Sequence, residues 1–297
     1  MNTGKLNKIL VIQTAFIGDA ILATSVLEKL HQHYPSAQID YMVRKGNESL
    51  FTGHPFVHNL LVWDKKNGKY KNLLVLLKSI RKEKYNLVVN LQRFAASGFL
   101  TAFSGAKQTI GFKKNPFSFL FSSRVEHEYD NRHETERNHQ LVSAFTDSVP
   151  EKPRLYPTDA DFTKVYPYKS APYVCIAPAS VWFTKQFPVE KWAKFLNRIG
   201  QNVTVYLLGA PSDKELCREI VNRVTNPTIR LHILAGELSL LQTTALMKDA
   251  AMNYTNDSAP LHLASSINAP VRAVFCSTVP EFGFGPLSDN SAVIQTD

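Results

Sequence analysis

The sequence predicts an α/β fold of two Rossmann-like domains facing each other across a cleft, and three observations carry that prediction. Its 297 residues exceed the roughly 100–200 of a single domain. A strand–helix–strand pattern opens near residue 8 and starts afresh near residue 173. Between the two lies Val149-Pro-Glu-Lys-Pro-Arg-Leu-Tyr-Pro157, continued by Pro167 and Pro172, a proline-rich stretch suited to a linker. The expected domains are therefore 1–155 and 156–297.

Lys8-Ile-Leu-Val-Ile-Gln13 is a short apolar run bounded by polar residues and reads as the first strand. Residues 18–34 follow as a helix, because Ile21, Leu22, Val26, Leu27 and Leu30 recur at helical spacing. Pro35-Ser36 breaks it, and Gln38-Ile-Asp-Tyr-Met-Val43 reads as the second strand. Parallel neighbours need a crossover of this length. Strand-like runs at Val57–Trp63 and 87–91, with a helical segment at 70–82, extend the alternation. In the second half Tyr173–Ala177 is a strand, 188–199 a helix with Pro188 in its first turn, and 203–208 a strand ending at Gly209. Runs at 230–234, 252–254, Val271–Phe275 and 293–295 supply the later strands.

Composition excludes several classes. With 44% hydrophobic and 20% charged residues, the chain is neither disordered nor collagen-like. Cys175, Cys217 and Cys276 are odd in number, widely spaced and free of any Cys-x-x-Cys pair, which argues against a disulfide framework and a zinc site and for a reducing cytoplasm. The opening Met1-Asn-Thr-Gly-Lys-Leu-Asn-Lys-Ile-Leu has no apolar core of a leader and no small-residue cleavage site. No stretch nears the roughly 18 uninterrupted apolar residues of a membrane span. The formal charge of +9 is uneven: residues 1–150 hold 20 Lys+Arg against 12 Asp+Glu, whereas residues 151–297 hold 14 against 13. That asymmetry points to an anionic partner for the first half, or simply to solubility.

Ligands in such sheets sit beyond the carboxyl ends of the strands, so the loops there are searched first. Gln13-Thr-Ala-Phe-Ile-Gly-Asp19-Ala links the first strand to its helix. Asp19 can project into a cleft, or can simply complement the helix dipole. Gly18 is the one glycine between residues 5 and 45, which counts against a dinucleotide fingerprint. Ala177-Pro-Ala-Ser180-Val-Trp-Phe-Thr184-Lys185-Gln-Phe-Pro188 places a hydroxyl and an ammonium before a helix, a phosphate-binding arrangement, although Lys185 also reads as a surface lysine. Walker glycines are absent from it. Tyr254-Thr-Asn-Asp257-Ser258-Ala-Pro-Leu-His262 clusters carboxylate, hydroxyl and imidazole at a helix start. It reads either as a nucleotide-sugar phosphate site or as a helix capped by Ser258 with a partly buried histidine. His31 and His33 point to different sides of a helix, and the run 126–139, with His127, His133 and His139, reads as a solvated helix or loop. Asp159-Ala-Asp161 lies in the linker, so no divalent-metal motif is legible.

Together these loops resemble glycosyltransferase family 9, the heptosyltransferases of the lipopolysaccharide inner core. The likeness runs through Ile17-Gly-Asp19-Ala-Ile-Leu-Ala-Thr24, Val88-Val-Asn-Leu-Gln92, Thr109-Ile-Gly-Phe112, Lys185-Gln-Phe-Pro188 and Asp257-Ser-Ala-Pro-Leu-His262-Leu-Ala264. The last is similar to the family's Asp-[Ser/Thr]-Gly-x-x-His pattern, with Ala259 in place of the glycine. The resemblance implies a GT-B fold, with an N-terminal acceptor domain and a C-terminal nucleotide-sugar domain. It implies inverting transfer of a heptose from ADP-heptose to a lipid A-core acceptor, with no metal or other cofactor. Asp19 matches the candidate general base, and Ser180, Lys185, Asp257, Ser258 and His262 match donor contacts; Glu215 matches the ribose position loosely. It also implies a further helix after the final strand, where this sequence ends.

The expected partners are ADP-heptose or a related nucleotide sugar, an anionic lipid-linked saccharide and the cytoplasmic face of the inner membrane. The segment Phe112-Lys-Lys-Asn-Pro-Phe-Ser-Phe-Leu-Phe-Ser-Ser-Arg124 interleaves aromatic and basic residues as a membrane interface would, or else buries its phenylalanines in a core. Another donor or acceptor on the same fold is the main rival reading. Nucleic-acid binding is remote, because no helix-turn-helix, RNP or zinc module is legible.

Overall fold

Short apolar strands with no polar alternation, such as Lys8-Ile-Leu-Val-Ile12, belong to parallel sheets covered on both faces. The computed structural model describes residues 6–128, 130–200 and 202–295. The leaderless opening expected for residues 1–5 lies outside them. The first half forms β1 (Lys8–Ile12), α1 (Ile17–Leu22), α2 (Thr24–His33), β2 (Gln38–Arg44), β3 (Val57–Trp63), α3 (Lys69–Glu83), β4 (Leu87–Asn90), α4 (Ala95–Ala102), β5 (Gln108–Phe112), β6 (Ser123–Val125) and α5 (Glu134–His139). The second forms α6 (Asp159–Val165), β7 (Tyr173–Ala177), α7 (Val189–Leu196), β8 (Thr204–Leu207), α8 (Lys214–Asn222), β9 (Arg230–Ile233), α9 (Leu240–Lys248), β10 (Met252–Asn256), α10 (Ala259–Ser266), β11 (Val271–Phe275) and β12 (Ser291–Gln295).

Each half makes one parallel six-stranded sheet. The orders are β3-β2-β1-β4-β5-β6 and β12-β11-β10-β7-β8-β9. Read from β9, the second repeats the first: the chain starts in the middle, winds to one edge, then returns to build the other. In the first sheet Ile9 stands opposite Ile39 on one side and Leu87 on the other. The chain divides into two compact units between Arg154 and Leu155.

Helix stripes close each sheet. In the first unit Leu73 and Ile80 of α3 and Leu100 of α4 pack on Leu10, Ile12, Met42, Trp63 and Val88. In the second, Trp192 and Leu196 of α7 and Cys217 and Ile220 of α8 pack on Val174, Ile176, Val205 and Leu207. Each fully buried side chain of this size contributes about 1.5–3 kcal/mol. The three cysteines are free. Among the described residues no helix is long and apolar enough to cross a membrane.

Four expectations change. The helix expected over 18–34 is two, because Thr24 Oγ1 and Ser25 Oγ donate to the carbonyls of Ile21 and Leu22 at 2.7 and 2.8 Å and break the run at Ala23. Pro188 is the residue before α7, with extended ψ, and not within its first turn. The run 126–139 is solvated only in part: Glu126, Glu128, Asp130, Asn131 and Glu136 are exposed, but His127, Glu134, Arg137, Asn138 and His139 are buried, and Arg137 Nε donates to Glu134 Oε2 at 3.0 Å so that the pair goes inward together. In 112–124, Phe112 and Phe121 are core residues under the sheet and Lys113 pairs with Glu126, so the exposed apolar part shrinks to Phe119 and Leu120.

Candidate active site

In a doubly wound sheet the crossovers leave its two central strands in opposite directions, and ligands bind at the carboxyl ends of those strands. Here these are the ends of β1 and β4 in the first unit and of β7 and β10 in the second. Polar side chains gather at both places.

In the first unit the loop after β1 is held from several sides. Buried Gln13 accepts from Ala15 N at 3.2 Å and from Nε2 of Gln92, just beyond β4. Lys65 Nζ donates to the Thr14 carbonyl at 2.6 Å, and Asn47 Nδ2 to that of Ala15 at 3.2 Å. The Arg44 guanidinium stands 5.0 Å over the Phe16 ring, and Tyr41 donates to the Ala20 carbonyl at 3.0 Å. Asp19, in the first turn of α1, thus projects from a backbone held by side chains from β2 and from the loops that follow β2, β3 and β4.

The Asp19 carboxylate acts on its surroundings. Burial pushes the Tyr41 hydroxyl well up, and Asp19 adds to it. Burial likewise raises Glu134, with Asp19 adding to the rise and Arg137 opposing it. Cations surround the same region: burial, then Arg44 and Lys69, lower Lys65 to about 8, and burial, then Arg93 and Arg137, lower His127 to about 4.

In the second unit the loop after β7 turns through a short 3-10 helix, Phe183–Lys185, and brings Lys185 Nζ to 2.5 Å from Asp257 Oδ2. Thr278 Oγ1, beyond β11, donates to the same oxygen at 2.7 Å. Asn256 joins the two central strands, its Nδ2 donating to the Pro178 carbonyl at 2.6 Å and its Oδ1 accepting from Phe187 N at 3.0 Å. Gln186 Nε2 holds the Ser180 carbonyl at 2.7 Å. Ser258 occupies the N-cap position of α10, but its hydroxyl makes no capping bond; it lies 3.4 Å from the Asn256 carbonyl. The expected side-chain cap is therefore not made, and the hydroxyl is spent on its own turn. His262 is buried in the body of α10. Ala259 is absent from the residues with positive φ, so its position does not need glycine's backbone freedom.

The structure thus brings Lys185 and Asp257 into contact, ties Ser180 to them through Gln186, and sets Ser258 and His262 on the adjoining helix. Glu215, at the start of α8, is not part of this network: it is exposed and accepts from Arg218 Nη1 at 3.1 Å. Asp19 belongs to the other unit. Sequence reading missed Asn256, Thr278 and Gln186 here, and Gln13, Gln92, Lys65 and the Glu134–Arg137 pair in the first unit. The usable signal was a polar residue at the end of an apolar strand, which Gln13, Asn90 and Asn256 all supply.

A family model described as glycosyltransferase family 9 (heptosyltransferase) matches residues 73–297. Among characterised relatives, the lipopolysaccharide core heptosyltransferase OpsX of Haemophilus influenzae is 26% identical, over 89% of this chain and 78% of its own. Lipopolysaccharide heptosyltransferase 3 of Escherichia coli K12 is also 26% identical, over 88% and 80%. A solved family 9 glycosyltransferase from Veillonella parvula superposes with a TM-score of 0.86 at 21% identity, covering 98% of this chain and 87% of its own. Escherichia coli ADP-heptose lps heptosyltransferase II superposes at 0.79 with 24% identity, covering 97% and 90%. The two-sheet α/β architecture is that of these GT-B enzymes, and the family match spans well over half of the sequence. The chain belongs to glycosyltransferase family 9 and is a glycosyltransferase of the heptosyltransferase type.

Proposed function

We propose that this enzyme transfers a heptose from ADP-heptose to an anionic, lipid-linked saccharide of the lipopolysaccharide core, with inversion and without a metal ion. The observation that carries the donor side is the Lys185–Asp257–Thr278 cluster at the ends of β7, β10 and β11, beside the N-terminus of α10. An ammonium and a helix N-terminus stabilise a departing diphosphate as charge develops on it. The acceptor side is assigned to the first unit. Asp19 takes the proton from the acceptor hydroxyl while the hydroxyl oxygen bonds to the anomeric carbon and the bond from that carbon to the diphosphate breaks, releasing ADP. Attack opposite the leaving group inverts the anomeric configuration. Ser180, Ser258 and His262 are assigned to donor contacts. Glu215, set apart in an exposed pair with Arg218, is assigned to the ribose only if it releases Arg218.

The test is ADP release from ADP-heptose in the presence of acceptor, with and without excess chelator, and the anomeric configuration of the product. Turnover is expected to survive chelation. Asp19→Ala is expected to reduce turnover at least about a hundredfold, the scale of a lost general base, with ADP affinity unchanged. Comparable turnover in that variant would remove Asp19 from the mechanism. A different donor sugar is favoured by one feature, the exposed Val181, Trp182 and Phe183 between Ser180 and Lys185. Screening other nucleotide sugars for nucleotide release decides between the two.

A further inference from the structure

We infer that the outer face of α3, with the corner formed by Phe103, Phe119 and Leu120, is the surface by which the first unit rests on an anionic phospholipid bilayer. This inference rests on the reading above that the acceptor is lipid-linked.

A helix that covers a sheet turns one apolar stripe inward and presents polar residues to water. In α3 the inward stripe is in place, with Leu73 and Ile80 buried and Leu76 and Leu77 packed against the same core. The opposite face departs from the rule: Tyr70 is 74% exposed, and Leu74 and Val75 are each 60% exposed. Leu74 lies one turn after Tyr70 and Val75 adjoins it, so the three form an exposed apolar patch on α3.

Basic residues frame the patch. Between Lys65 and Lys84 there are eight Lys+Arg and a single acidic residue, Glu83. The two carboxylates at the ends of this stretch are held by lysines from other elements, Asp64 by Lys45 at 2.9 Å and Glu83 by Lys8 at 2.8 Å. Lys71, Lys78, Arg81 and Lys82 are exposed.

The patch continues onto its neighbour. Arg81 Nη1 donates to the Phe103 carbonyl at 3.1 Å, which fastens the end of α3 to the end of α4. Phe103, partly exposed, meets Phe99 at a tilt and Phe117 edge-on, with ring centroids 5.0 and 6.3 Å apart, and the short 3-10 helix after Phe117 carries exposed Phe119 and Leu120.

Apolar side chains at the centre and cations at the rim are what an anionic bilayer binds: the former enter the acyl boundary and the latter meet headgroup charge. A second copy seated on the same face would bring the two basic rims together.

Co-sedimentation of the full chain with phosphatidylcholine vesicles, with and without phosphatidylglycerol, at low and high salt, tests this. The wild type is expected to bind the anionic vesicles and to lose binding as salt rises. Leu74→Ser with Val75→Ser is expected to lower the partition coefficient about tenfold or more. Lys71→Glu with Lys78→Glu is expected to lower it on anionic vesicles alone. Phe183→Ser, in the second unit, is expected to bind as the wild type does. Thermal melting verifies that each variant is folded. If both α3 variants bind like the wild type, or if they change sedimentation mass instead of lipid binding, the surface is wrong. If the wild type binds no vesicle, the inference falls as well. ADP release with a deacylated acceptor reads the transferase assignment separately, since it persists when only the surface is wrong and is absent when that assignment fails.

Discussion

A lysine 2.5 Å from a carboxylate is neutralised until a stronger anion competes for it. A diphosphate is such an anion, and under the proposed donor assignment Lys185 would give it a charge-assisted bond of roughly 1.5–3 kcal/mol. Lys185→Met is therefore expected to weaken ADP binding about ten- to a hundredfold by calorimetry. An affinity within twofold of the wild type would take Lys185 out of the donor site. His54 gives a second expectation. Its Nδ1 accepts from Val57 N at 3.3 Å, its ring meets Phe56 edge-on at 4.6 Å, and burial, then His31, lowers it to about 4. Between there and the ordinary 6.5 the unfolded chain binds more protons than the native one, so stability is full above pH 6.5 and falls as pH drops toward 4. The loss amounts to about 3 kcal/mol. Melting curves from pH 7.5 to 4.5 should fall more steeply for the wild type than for His54→Asn; parallel curves would contradict this. Asp19, Lys185 and Asp257 stood out as candidates because each sits in a short motif after an apolar strand. Asn256 and Thr278 were not: Asn256 acts on Phe187, 69 residues away, and no local pattern encodes a pairing at that distance.

Elements came through the sequence unevenly, and their environment explains the difference. Long or wholly apolar ones, β1, β3, β7, β11 and α3, were readable from periodicity alone. β6 has three residues, Ser123–Val125, at a sheet edge, too short for any period to show. In α5, Glu134 and Arg137 resemble a solvated surface until their mutual contact is known, because charge pattern does not distinguish a paired, buried ion from a free one. The packing of α4 against the loop after β5 is sharper. A Cβ on Gly98 would lie 1.9 Å from Asn115 Oδ1, and Asn115 Nδ2 donates to the carbonyls of Gln92 and Phe94, both at 3.0 Å. Gly98→Ala is expected to cost about 1–3 kcal/mol by overpacking. Because Asn115 must move, the Gln92 loop is released, and the KM for acceptor should rise while ADP affinity stays. A variant with unchanged melting temperature and unchanged KM would show that Asn115 does not hold that loop.

At the scale of the whole molecule, the doubled strand order predicts where ligand effects appear. Hydrogen exchange on the intact chain with ADP should slow amides at 178–188 and 256–262 and leave 13–19 unchanged, since local stability changes where a ligand binds. Protection confined to 13–19 would reverse the assignment of donor and acceptor units. The two-unit organisation was visible in the repeated strand pattern and the prolines between the halves. The basic character of the first half became specific only once α3 was seen to hold its apolar patch outward.

Each sheet is built from one uninterrupted stretch of chain, the first complete at β6 before β7 begins. All six strands of the first unit have therefore left the ribosome while the second is still being translated, and the first can close its sheet without waiting for any later segment. The second repeats the same sequence of events later in the chain: β7 stays open on one side until β10 arrives, 78 residues on by the Cys175–Asn253 register, just as β1 waits 78 residues for β4 by the Ile9–Leu87 register. A destabilising substitution in the second unit should consequently leave a first unit already folded on the nascent chain, whereas one in the first unit should expose its strands throughout the synthesis of the second.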